Sequence, residues 1–342
     1  MKKIKTLLLK DNDAGIKKAA ALLRAGEIVG IPTETVYGLA ANALNTSAIG
    51  RIFKAKGRPQ DNPLIVHIAE LNSLYELVMD VSDTALQLAM RFWPGPLTMV
   101  FAKKPVIPDI LSAGLATVAV RMPSHSTALS VIKAANVPLA APSANRSGSP
   151  SPTTAAHVIS DMDGRIPAVL DGGACSVGVE STVLDLTGEV PCLLRPGGVT
   201  PEMISSVTGK LKIHSAVTAE LNDNSRAISP GMKYKHYSPK AHVVLVKGSP
   251  QQFTRFVNSH SGEGVVAMCF DEEQDGLEVP YVTYGARDDA AGQARQLFGA
   301  LRRLDDIEAK TVYCACPNLK EMGLAVYNRL LRAAGFEVIE LD

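Results

Sequence analysis

Short apolar runs alternating with helix-period segments constrain this chain more than any other feature. Residues 28–31, 64–68, 97–101, 117–121 and 139–141 each read as a short buried strand. Between them the apolar spacing is helical. A first helix is capped by Asp11 or Asp13 and ends near Gly26, and a second runs from Asn45 to Gly57. Further helices are expected over 71–79 and 84–92, before Asn136, and after Thr153 or Thr154. Residues 182–186 and 191–194 read as a hairpin around Thr187 and Gly188. Such an order requires layers of sheet and helix, so the fold class is α/β. It does not decide between parallel and mixed pairing.

The alternation stops between about residues 217 and 240 and then restarts. Asn222, Asp223, Asn224, Ser225, Ser229, Pro230 and Gly231 break every period there. For 342 residues this implies two domains, 1–216 and 241–342, joined by a linker over 217–240. The linker holds SPGMKYKHYSP at 229–239, which reads either as a tether or as a segment that folds over a ligand. After it, strands at 243–246, 265–269, 311–314 and 336–339 alternate with helices at 251–258, 290–304 and 319–334.

Charge narrows the function. Thirty-five basic residues against thirty-four acidic ones leave a net charge of +1. A broad face that binds nucleic acid by phosphate neutralisation is not expected, whereas a local cluster for a small anion is compatible. The lysines before Leu7–Leu9 are followed by too short an apolar run for a signal peptide, and no span approaches transmembrane length. A cytoplasmic protein is expected. Five cysteines (175, 192, 269, 314 and 316) show neither a redox nor a zinc spacing and read as ordinary thiols. Walker and dinucleotide glycine motifs are absent.

Polar groups recur at strand ends, where α/β folds bind ligands. Thr33, Glu34, Thr35 and Gly38 follow the first predicted strand and read as a ligand loop or a capped turn. Lys54, Lys56 and Arg58 crowd a predicted helix end, with Asn62 and His67 beyond. They read as a polyphosphate site or as a solvated basic turn. His67 reads equally as a structural histidine. Ser143, Asn145 and Gly148 form a polar nest or a simple turn. Arg121, Arg195 and Ser181 stand at further strand edges.

Taken in order, these segments resemble the Sua5/YrdC/YwlC family of L-threonylcarbamoyladenylate synthases. The resemblance rests on PTETVYGL at 32–39, KAKGRPQDNPLIVHI at 54–68, FWPGPLT at 92–98 and VAVRMP at 118–123. It continues through PLAAPSANRSG at 138–148, ESTVLDL at 180–186 and LLRPG at 193–197. The linker motif and second domain resemble the long, two-domain Sua5 form.

The resemblance implies a YrdC-like twisted mixed sheet with flanking helices and a positively charged cavity, plus a smaller C-terminal Rossmann-like α/β Sua5 domain. It implies an ATP-dependent nucleotidyltransferase that joins L-threonine, bicarbonate and ATP into threonylcarbamoyl-AMP and pyrophosphate, for t6A modification at adenosine 37 of tRNA. Thr35, His67, Arg121 and Ser181 match the L-threonine positions. Lys54, Lys56, Arg58, Asn62, Thr117, Ser143, Asn145, Ser151, Arg195, His236 and Tyr237 match the ATP positions, with Lys56 and Arg58 stabilising the reacting phosphate. His236 and Tyr237 belong to a linker expected to cover the nucleotide. Mg²⁺ is expected to arrive mainly on the ATP phosphates, with no protein ligands assigned. A downstream tRNA threonylcarbamoyl transfer machinery is implied as a partner, without a stable nucleic-acid complex or a membrane. The competing reading is a non-catalytic RNA-binding protein using the same positive cavity.

Overall fold

The structure, a computed structural model, describes residues 5–219 and 237–341. Eleven strands of the described residues form one mixed sheet. They are β1 (Leu7–Lys10), β2 (Val29–Ile31), β3 (Gly38–Asn42), β4 (Ile65–His67), β5 (Leu97–Ala102), β6 (Thr117–Arg121), β7 (Leu139–Ala140), β8 (Ala168–Asp171), β9 (Thr182–Asp185), β10 (Cys192–Arg195) and β11 (Lys212–Ile213). Their spatial order is β1-β8-β2-β3-β7-β4-β6-β5-β9-β10-β11. Parallel pairs such as β4–β6 and β5–β9 mix with antiparallel pairs such as β3–β7, β5–β6 and β9–β10.

The expected hairpin is the β9–β10 pair. Two local expectations need correction. The first helix, Asp13–Arg24, is capped by Asn12, whose side chain accepts from the Gly15 amide, rather than by Asp11 or Asp13. Gly38, read as a tight-turn residue, instead opens β3. Gly-Leu-Ala-Ala-Asn has little intrinsic strand preference, so the pairing with β2 and β7 makes it a strand.

Helices cover the sheet with their apolar faces. Ile49, Ile52 and Phe53 of helix Thr46–Lys56 pack with Leu88 of helix Asp83–Phe92 and with Val66, Leu97 and Met99 of the sheet in one buried cluster. A smaller cluster holds Leu23, Val131 and Ile132 against Val29, Ile31 and Leu170 on the other helices' side. None of the helices among the described residues is long and apolar enough to cross a membrane.

The second sheet is entirely parallel. Its strands are β12 (His242–Lys247), β13 (Val265–Cys269), β14 (Tyr281–Thr283), β15 (Thr311–Ala315) and β16 (Val338–Glu340), in the order β14-β13-β15-β12-β16. Phe253, Phe298, Leu301 and Leu330 close its core. That core is not separate from the first domain, because Val36 and Val179 belong to the same apolar cluster. Gly178, at φ +86°, lets the two backbones meet: a Cβ there would lie 2.4 Å from the Ala294 carbonyl oxygen. An ion pair joins Arg302 to Asp161 at 2.7 Å, and Arg302 also donates to the Pro150 carbonyl.

Candidate active site

Strand register assembles the cavity. His67 and Arg121 are partners at the ends of parallel β4 and β6, and Arg121 faces Thr98 of β5. The loop after β2 supplies Thr35, the loop after β7 supplies Ser143 and Asn145, and β10 ends in Arg195. These residues line a cleft of about 670 Å³, open solvent at its mouth included. Lys56, Arg58, Ser181 and Tyr237 share the lining.

The basic motif is produced by a helix end. Gly57, in the left-handed region at φ +63°, terminates Thr46–Lys56, and the Arg58 amide donates back to the Phe53 carbonyl. Two residues apart on the helix, Lys56 turns inward while Lys54 stays exposed on its surface. The Lys56 ammonium donates to the carbonyls of Ser143 (2.5 Å) and Asn145 (2.6 Å) and to Asn145 Oδ1 at 3.3 Å. Its donors therefore hold the Ser143–Asn145 loop. Burial, aided by Arg58, pushes its pKa well down.

Arg58 donates to the carbonyls of Asn62 and Pro63, both at 3.2 Å, while its buried Nε has no partner among the described residues. Burial pulls Arg58 and Arg195 down to about 10, so both remain cationic at neutral pH. Arg195 donates to the Ser181 carbonyl at 3.0 Å and to its hydroxyl at 3.2 Å. Gly197 is needed for that approach, since a Cβ there would lie 2.3 Å from the Thr182 nitrogen.

Arg121 is held on three sides. Nε donates to the Gly95 carbonyl, NH1 to Thr35 Oγ1 at 2.9 Å, and NH2 forms an ion pair with Glu34 at 2.7 Å. Burial alone would raise Glu34, but Arg121 outweighs it and keeps the carboxyl below its usual range. Beside this pair His67 is pulled down to about 3, first by burial and then by Arg121. It is a neutral imidazole at physiological pH, and its Nδ1 has no partner among the described residues. Ser181 shares a 2.8 Å hydrogen bond with Thr98.

The structure brings together Thr35, Lys56, Arg58, His67, Arg121, Ser143, Asn145, Ser181, Arg195 and Tyr237. Asn62 lies behind Arg58, and Ser151 behind Glu180, to which it donates. Thr117 sits at the opposite end of β6 from Arg121, roughly 13 Å along the strand, and outside the lining. His236 lies outside the described residues, as does most of the expected covering linker. Glu180 also lines the cleft, yet carboxylate residue type alone gave no reason to place it beside an anion.

Neither carboxylate is available for a cation, since Glu34 pairs with Arg121 and Glu180 with Arg329. No group of three His, Cys, Asp or Glu side chains that could hold a metal occurs among the described residues. The donor set does not fit a resident divalent ion. All five cysteines are free thiols, and Cys175, within electrostatic reach of Glu34 and Arg121, is pushed up to about 12 by burial, which makes it a poor nucleophile.

Residues 21–197 match the family model Sua5_yciO_yrdC, described as telomere recombination, and 199–335 match that of the threonylcarbamoyl-AMP synthase C-terminal domain. The chain is 46% identical to a threonylcarbamoyl-AMP synthase of Pyrococcus abyssi, covering 95% of this chain and 96% of that protein. It is 44% identical to the protein of that name from Bacillus subtilis, covering 97% and 96%. Among solved structures, that of P. abyssi Sua5 complexed with L-threonine superposes with a TM-score of 0.91 at 44% identity, covering 98% of this chain and 99% of that one.

Proposed function

The chain belongs to the Sua5 family of threonylcarbamoyl-AMP synthases, and from that premise we propose that its cleft joins L-threonine, bicarbonate and ATP. It is an ATP-dependent enzyme that makes threonylcarbamoyl-AMP. The observation that carries the site reading is the convergence of Lys56, Arg58, Arg121 and Arg195 on one cleft that also presents the Ser143–Asn145 loop.

Threonine's place is the end formed by Thr35, His67, Arg121 and Ser181. Arg121, with one counter-ion in Glu34, offers a fixed guanidinium for the amino-acid carboxylate, and neutral His67 accepts or donates one hydrogen bond without adding charge. The nucleotide's place is the end formed by Arg58, Ser143, Asn145 and Arg195. Condensation of the threonine amine with bicarbonate releases water and gives an N-carboxy species. Its carboxylate oxygen attacks the ATP α-phosphorus, and pyrophosphate leaves with the electrons of the broken P–O bond. Charge grows on phosphoryl oxygens, where Arg58 and Arg195 stabilise it as preorganised donors. Lys56 keeps the Ser143–Asn145 loop in register and adds positive potential behind it. Mg²⁺ enters with the ATP phosphates rather than through this chain's ligands.

The adenylate is then consumed by a separate machinery that modifies tRNA at adenosine 37, in the cytoplasm. Domain bounds of 1–216 and 241–342 are part of the same proposal, supported by the two sheets on either side of the linker.

The test supplies purified protein with ATP, Mg²⁺, L-threonine and labelled bicarbonate, omitting each in turn. Labelled threonylcarbamoyl-AMP and pyrophosphate are expected only with all substrates present. Pyrophosphate release that needs neither threonine nor bicarbonate would overturn the reading.

A further inference from the structure

The second domain reaches the wall of the cleft through one helix, Met322–Ala333. Asn328, Arg329 and Arg332 of that helix are buried, although polar or charged. Asn328 donates to the Val217 carbonyl at 2.7 Å and Arg332 to that of Ala216 at 2.8 Å. The Ser238 hydroxyl donates to the Ala333 carbonyl at the helix's end. The same helix therefore fastens the chain both where it leaves the first domain and where it enters the second.

Arg329 extends further. Its side chain is 0% exposed. Nε donates to Glu180 Oε2 at 2.7 Å, NH2 to the Glu180 carbonyl at 3.1 Å, and NH1 to Asn328 Oδ1 at 2.8 Å. The guanidinium lies 5.7 Å from the centre of the Tyr237 ring. Each nitrogen of the fork already bonds to protein and Arg329 is not among the residues lining the cleft, so it acts on a ligand through Glu180. That carboxylate lines the cleft, and its second oxygen accepts from Ser151. Without Arg329, the buried carboxylate would keep the Ser151 hydroxyl but lose its counter-ion, and its charge would cancel part of the positive potential of Lys56 and Arg195 that an anionic ligand requires.

We propose that Arg329 is a positioning residue for the nucleotide end of the cleft: by neutralising and orienting Glu180 it keeps that wall from repelling the ATP phosphates, which makes the second domain a structural part of the active site. The inference rests on the ATP-dependent reading above. It assigns the second domain an electrostatic task in addition to its attachment.

Calorimetric titration of the full-length protein with ATP, and separately with L-threonine, tests it. R329M is expected to weaken ATP binding at least tenfold and threonine binding less than threefold, whereas a merely structural role would weaken both together. E180Q/R329M, which removes the charge that needed a partner, is expected to bind ATP within threefold of the unaltered protein. R329K, which keeps the charge but not the fork, falls between. A folded R329M with unchanged ATP affinity, or a double variant as weak as R329M, would overturn the assignment. Should R329M fail to fold by circular dichroism, the charge-free double variant decides: ATP binding within threefold supports the role, and a tenfold loss sinks it. Unaltered protein that does not bind ATP would bring down the ATP reading itself, and this role with it.

Discussion

Charge in the cleft is decided side chain by side chain, and residue type alone is a poor guide to it. Lys56 and Arg58 stand two residues apart in one basic motif, yet the ammonium is spent on the Ser143–Asn145 loop while the guanidinium's buried Nε has no partner among the described residues. R58A is therefore expected to lower kcat/KM by about 100-fold, near 2.7 kcal/mol of transition-state stabilisation. Pyrophosphate release checks it; near-normal turnover would remove Arg58 from the chemistry. His67 shows the reverse effect, because burial and Arg121 hold it neutral down to about pH 3. Its folded pKa lies below the unfolded value of 6.5, so between those values the unfolded chain binds the extra proton. Stability then rises with pH across that window and is lost as pH falls from about 6.5 toward 3. The H67Q variant is expected to show a shallower acid loss in urea unfolding, by at most ~1.4 kcal/mol per pH unit. Parallel curves for the two proteins would contradict a buried neutral imidazole.

At the scale of elements, the basic motif depends on how one helix stops. Asn45 caps Thr46–Lys56 at its start, and Gly57 ends it in the left-handed region. Nothing lies within 4 Å of a Cβ built on Gly57, so G57A carries only the backbone penalty, about 1 kcal/mol. Because the turn aims Arg58, the loss in kcat/KM is expected to exceed what the small drop in melting temperature implies. Activity falling no further than stability would show that the turn does not aim it. Both helix ends were legible, since a cap asparagine and a terminal glycine act through local backbone geometry. Strand β3 was not, because Gly38, Ala40 and Ala41 become a strand only between β2 and β7. Thr117 shows the same limit: the motif puts it four residues from Arg121, but an extended strand carries those four residues away from the cleft.

On the scale of the whole molecule, the two domains share apolar core and charge. A chain ending at Val217 loses the partners of Val36 and Val179 and leaves Glu180 without Arg329. Such a truncation is expected to lose most pyrophosphate release; a folded fragment with undiminished activity would reduce the second domain to an appendage. By itself the sequence determined the α/β class and, through its ordered motifs, the family, because periodicity, caps and short motifs are local properties of the chain. Only the tertiary structure decided the spatial order of the strands, the engagement of Lys56 and the pairing of Glu180 with Arg329. Those depend on contacts between residues far apart in sequence, 149 positions in the last case, and burial there sets both the charge state and the role of each side chain.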